Sequence, residues 1–170
     1  KIPDKATRTI ELTVERAADG GAPTYKASLS SETPVRQLFG LETLRHDDAS
    51  VNMERAGRGL PLLFNHNPDT LIGRAVGVRL ENRRLIADNL TFSDNPDAQR
   101  IKADIDAGFM GDVSLRYSID KAERSETDDG EQRIDVTRWT PLEASIVTVP
   151  ADPSVGIGRS KRSEEHTSEL

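Results

Sequence analysis

The stretch Leu60–Ala75, LPLLFNHNPDTLIGRA, runs apolar through Leu62, Leu63 and Phe64 and stops on a polar corner, Asn65-His66-Asn67-Pro68-Asp69. An apolar run this short, bounded by Pro and Asn, reads as a core strand, and Pro68 is expected to turn the chain just past the histidine. His66 would then stand where a buried strand meets a solvent-facing loop, firmly based and reachable.

Short strands recur outward from this corner. Upstream, residues 9–16 (TIELTVER) alternate Ile10, Leu12 and Val14 on one face, as a half-buried antiparallel strand does. Asp19-Gly20-Gly21 signals a turn, and Tyr25–Ser30 is its hairpin partner. Residues 34–44 are readable either as a short helix or as extended chain around Gly40, and 45–59 read as a loop. Downstream, residues 71–81 and 84–92 form a hairpin about Glu81-Asn82-Arg83. The period then changes. Asn95 offers an N-cap, Pro96 suits the first turn, and Ala98, Ile101 and Ile105 recur at helical spacing until Gly108, which predicts a helix over 96–107 packed on the sheet.

Residues 109–120 return to alternation, with Val113, Leu115, Tyr117 and Ile119 on one face and Ser114, Arg116 and Ser118 on the other. Residues 123–132 have the composition of an exposed hairpin end. Residues 133–150 form a β-branched run expected to break near Pro141, and 151–159 a closing loop. One helix among seven to nine strands predicts a mainly β, α+β fold, an antiparallel sheet or barrel with helical additions.

At 170 residues the chain fits one domain, with a lean core because aromatics make up only 4%. The absence of cysteine excludes disulfides and thiolate chemistry and suits a cytoplasmic protein. A net charge of -6 gives no electrostatic footprint for nucleic acid, and no window reads as a membrane span or signal peptide. The ends look artificial. The chain opens at Lys1, and residues 162–170 (RSEEHTSEL) resemble the conceptual translation of a sequencing adapter, so the domain is taken as 1–161, the natural protein is expected to run on, and His166 is set aside.

Acyl transfer by serine needs a base on the hydroxyl, a group orienting that base, and donors for the oxyanion. Ser114, His66 and Glu143 can supply the hydroxyl, its base and the orienting group. Glu143 stands inside the apolar PLEASIV run, where a carboxylate needs a partner. Each also has an ordinary reading: a satisfied strand-end histidine, a serine on a solvent face, a carboxylate on an edge strand. His46 lacks a second histidine at ligand spacing and reads as solvated. The acidic run 128–131 lacks calcium-loop alternation, and Gly73 and Gly77 make no phosphate fingerprint. No cofactor or metal is called for.

The segments PLLFNHNPDTLIGRA, AGFMGDVSLRYSI and WTPLEASIVTVPADPSVGIGRS jointly resemble the signature blocks of the tailed-phage prohead (capsid maturation) protease family. They stand in the family's order, with 48 residues from His66 to Ser114 and 29 from Ser114 to Glu143. The resemblance implies that His66 is the general base, Ser114 the nucleophile and Glu143 the third member. It implies a fold like herpesvirus assemblin, an antiparallel β-barrel with packed helices. It also implies self-assembly within the prohead of an infected or lysogenic bacterium, digestion of the scaffolding segment of the major capsid protein, and self-cleavage. Two positions depart from the pattern: Arg116 replaces a common Gly, and Ala144 a common Leu. Arg116 shares a face with Ser114 and can line the site, and backbone N–H groups from Ser114 through Leu115 to Arg116 are candidate oxyanion donors. A non-catalytic capsid-assembly module on the same fold, or an unrelated β-barrel binding domain, are the alternatives.

Overall fold

The computed structural model describes residues 1–15 and 19–149; the expected closing loop and the adapter-like tail lie outside them, as do the side chains of Leu12 and Val14. The strands are β1 (Lys5–Glu15), β2 (Thr24–Ser31), β3 (Val35–Gln37), β4 (Gly40–Leu44), β5 (Leu60–Phe64), β6 (Asn67–Glu81), β7 (Arg84–Phe92), β8 (Asp112–Glu126) and β9 (Gln132–Val147), with helix α1 (Pro96–Asp106) between β7 and β8. They form a single sheet in the order β3-β4-β9-β5-β6-β7-β2-β1-β8, which curls until β8 also pairs with β9.

The mainly β expectation holds, and the antiparallel barrel with packed helices is met only in part. The sheet is mixed, because β9 carries β4 and β5 in parallel register while β8 runs antiparallel along its other edge. The described residues hold one α-helix. Asn95 caps it by accepting from the Ala98 amide at 2.7 Å, and Ala98, Ile101 and Ile105 are buried.

Local chemistry explains most of the connections. Asn82 and Arg83 take positive φ (49° and 58°) and close the β6–β7 hairpin as a two-residue turn. Asn65 and His66 do the same between β5 and β6 (50° and 57°), with Phe64 opposite Asn67. The turn therefore falls on His66 itself. Pro68 lies within β6, where the register with β5 is irregular, and does not make the corner. Residues 34–44 resolve as the β3–β4 hairpin, and the expected loop at 45–59 contains a 3-10 turn at Ala56–Arg58. The expected break at Pro141 is a bulge in a continuous β9: Arg116 faces Glu143 while Tyr117 faces Pro141, leaving Leu142 unpaired. A residue with no N–H to donate is tolerated at such a point.

The core gathers Leu29, Leu44, Leu62, Ile72, Leu85, Leu115, Tyr117 and Trp139. It also encloses an ion pair, Arg8 to Glu42 at 3.1 Å, and the Tyr117 hydroxyl donates to the same carboxylate at 2.5 Å. Burial, reinforced by the Glu42 charge, pushes the Tyr117 phenol well above its usual range.

His46, expected to be solvated, is 4% exposed. Its Nδ1–H donates to the Leu44 carbonyl at 2.9 Å, so Nε2 accepts from the Ser30 hydroxyl at 2.7 Å, and the ring packs edge-on to Trp139. Burial lowers its pKa below 6.5. The sign follows: the unfolded chain binds this proton first, so the His46 contribution is full above pH 6.5 and is lost as pH falls from there through the lower folded-state value. Urea midpoints should decline with acidification, by at most about 1.4 kcal/mol per pH unit from this group. His46→Gln should show a shallower decline; equal slopes would contradict the account.

Candidate active site

Alternation along β8 sends Val113, Leu115 and Tyr117 into the core and leaves Ser114 and Arg116 on the opposite face. Antiparallel register then sets Ser145 opposite Ser114 and Glu143 opposite Arg116, so these four side chains share that face. The bulge at Leu142 makes this possible. Trp139 and Pro141 face inward on odd numbers, whereas beyond the bulge the inward residues are Ala144 and Ile146. Without the extra residue, Glu143 and Ser145 would point into the core.

The histidine arrives from β5, which lies parallel to the end of β9 with Leu63 beside Ser145 and Phe64 beside Ile146. The Asn65 amide donates to the Ile146 carbonyl at 2.9 Å, and Asn65 Oδ1 accepts from the Thr148 amide at 3.0 Å. The His66 amide donates to Ser145 Oγ at 3.0 Å. These bonds tie the left-handed corner to β9 on either side of the imidazole.

His66 Nδ1 is hydrogen-bonded to Glu143 Oε1, and its Nε2 lies 2.8 Å from Ser114 Oγ. A carboxylate only accepts, so Nδ1 carries the proton and the Nε2 lone pair receives the Ser114 hydroxyl. Ser114 is 2% and Glu143 7% exposed, and the His66 side chain 16%. The second carboxylate oxygen accepts from Ser145 Oγ at 2.9 Å, and Arg116 Nε stands 3.7 Å from the first. The site thus holds a hydroxyl, a base with a defined tautomer, and a fixed anion behind it.

Ser145 escaped the sequence reading. Its signal is a second polar residue two positions after Glu143, hence on the same strand face, in an otherwise apolar run. Leu115 is fully buried in the core and does not line the site. The backbone from Ser114 to Arg116 lies between β1 and β9, and the register with β9 shifts just past Arg116, between Arg116 and Tyr117. Arg116, 40% exposed, does overlook the site. A cavity of about 580 Å³ lies at Asn52, Arg58, Pro61, Arg74 and Thr140 and includes none of the three central residues. Among the described residues no group of three His, Cys, Asp or Glu side chains is arranged to hold a metal, and no helix is long and apolar enough to cross a membrane.

Residues 40–169 match a family model described as caudovirus prohead serine protease. The chain is 35% identical over 136 residues to a protein named major capsid protein from Halomonas phage phiHAP-1. That match covers 78% of this chain and 23% of the relative, so the chain spans less than a quarter of the relative's length. Among solved structures, that of the bacteriophage T4 capsid assembly protease, gp21, is similar with a TM-score of 0.52. It covers 86% of this chain and 98% of that one at 15% identity, a likeness of fold.

Proposed function

The chain belongs to the caudovirus prohead serine protease family, and on that premise we propose that it is a working endopeptidase of capsid maturation with Ser114 as nucleophile, His66 as base and Glu143 as orienting acid. The observation that carries this reading is the continuous Ser114–His66–Glu143 hydrogen-bonded line with its tautomer set by the carboxylate. Ser114 Oγ attacks the scissile carbonyl carbon as its proton passes to His66 Nε2. The tetrahedral adduct collapses, the C–N bond breaks, and Nε2 returns the proton to the departing amine. Water, deprotonated by the same nitrogen, then releases the acyl group and restores Ser114. Glu143 keeps the ring oriented and balances the imidazolium, while the Arg116 guanidinium adds positive charge at the edge of the site.

The relative named major capsid protein supports a capsid-protein substrate. The reading extends to removal of its scaffolding segment, self-cleavage and self-assembly, all inside the immature shell within the bacterial host. The curled sheet and the phage-protease neighbour also support a herpesvirus-protease-like barrel.

A non-catalytic assembly module would also suit a relative with that name. The aligned set weighs against it, because a module that only assembles has no need of a serine hydroxyl seated on an imidazole whose tautomer a buried carboxylate fixes. Co-expression with the full-length capsid protein separates the two readings. Shortening of the capsid protein is expected; a capsid protein of unchanged length that still assembles would overturn the protease reading and favour the module.

Ser145 both accepts from the His66 amide and donates to Glu143. Removing it strands two polar groups, at about 1–3 kcal/mol. Ser145→Ala is therefore expected to slow cleavage about 10- to 100-fold, chiefly in kcat, while Ser145→Thr recovers part of the loss. Unchanged kcat in Ser145→Ala would contradict this positioning role.

A further inference from the structure

We propose that the hydroxyl of Thr9, in the first strand and outside the residues matched by the family model, is the donor that receives the oxyanion when Ser114 attacks; this rests on the protease reading above. Thr9 on β1 is the direct antiparallel partner of Ser114 on β8, so the two side chains leave the same face with Cβ atoms about 4.5–5.5 Å apart. Across that face the order is Thr9 on β1, Ser114 on β8, Ser145 on β9, then the His66 corner beyond β5. Ser114 therefore has the base on its β9 side and Thr9 on its β1 side. An oxyanion donor is needed on the flank of the nucleophile away from the base, and Thr9 occupies it.

Two further observations single out this hydroxyl. Thr9 is 8% exposed, and its Oγ1 is sealed from solvent without a hydrogen-bond partner among the described residues. Buried hydroxyls are nearly always bonded, so one with no resting partner beside a nucleophile is a donor held for a group that arrives later. The β8 backbone around Ser114 lies between two paired strands, β1 and β9, which leaves the Thr9 side chain as the neighbouring hydroxyl on the open face. Thr9 and Ser114 are direct cross-strand partners, so a carbonyl bonded to Ser114 Oγ brings its oxygen beside Thr9. As the Oγ–C bond forms, the carbonyl π pair moves onto oxygen, the serine proton goes to His66 Nε2, and the new negative charge takes the Thr9 O–H bond.

The test follows labelling of the purified full chain by a fluorophosphonate, whose phosphoryl oxygen uses the same donors. Ser114 Oγ bonds to phosphorus, fluoride leaves, and the proton goes to His66. Thr9→Val, nearly isosteric, is expected to slow labelling about 10²-fold. Its thermal midpoint should be unchanged or higher, because it removes an unpaired buried hydroxyl and no resting bond. Thr9→Ser should restore the rate toward that of the parent. Labelling of Thr9→Val at the parent's rate, or slowed labelling with a lowered midpoint or without rescue by serine, would overturn the assignment while leaving Ser114 as nucleophile. A parent protein that is never labelled at Ser114 would overturn the protease reading and this one with it.

Discussion

Ser114→Ala is expected to abolish capsid-protein cleavage, by at least about 10⁴-fold in rate, while leaving the fold intact. In serine proteases loss of the nucleophile costs about as much as loss of the whole triad, on the order of 10⁶ in kcat. The hydroxyl is hydrogen-bonded to His66 Nε2, on a ring still 16% exposed, so its removal frees no buried backbone group and should change stability by about 1 kcal/mol or less. Ser145 is no substitute: it is fully buried and its hydroxyl is engaged by both the His66 amide and Glu143. Cleavage rates of parent and variant, with matched thermal melts, check this. A variant that melts like the parent and still cleaves at its rate would place the nucleophile elsewhere.

Glu143→Gln is expected to lower kcat about 10³- to 10⁴-fold. The carboxylate can only accept, which keeps the proton on His66 Nδ1 and the lone pair on Nε2. A glutamine that donates its N–H₂ to Nδ1 selects the opposite tautomer, which places N–H where the Ser114 proton has to go. The substitution also removes the anion facing both the forming imidazolium and Arg116, at 3.7 Å. Glu143→Asp keeps the charge but withdraws it by one methylene, and should lose less. Equal activity of Glu143→Gln and the parent would mean that the imidazole is oriented by something other than this carboxylate.

Strand and helix identities were readable because they rest on local pattern. The alternation of Val113, Leu115 and Tyr117, the Asn95 cap ahead of Ala98, Ile101 and Ile105, and the Asn82-Arg83 turn all reappear in the structure. Family-like blocks, more than spacing, singled out His66, Ser114 and Glu143, and the fold brings all three side chains into contact.

What escaped depends on partners distant in sequence. The parallel seating of β4 and β5 on β9 is set by cross-chain register, which no local run encodes. The Leu142 bulge reverses which residues of β9 face inward, so Pro141 looked like a break and Ser145 passed unnoticed. His46 looked solvated because Ser30 and Trp139, which enclose it, lie on other strands. Pro68 drew attention from the true turn, because Asn65 and His66 adopt positive φ in a way that only the closed β5–β6 hairpin enforces.

The central claim, a serine nucleophile activated by His66, is tested most directly by peptide mapping of the chain after exposure to a fluorophosphonate. The account predicts one phosphonyl adduct, on Ser114, absent from Ser114→Ala and strongly slowed in Glu143→Gln. An adduct on another serine, or none on the folded parent protein, would contradict it.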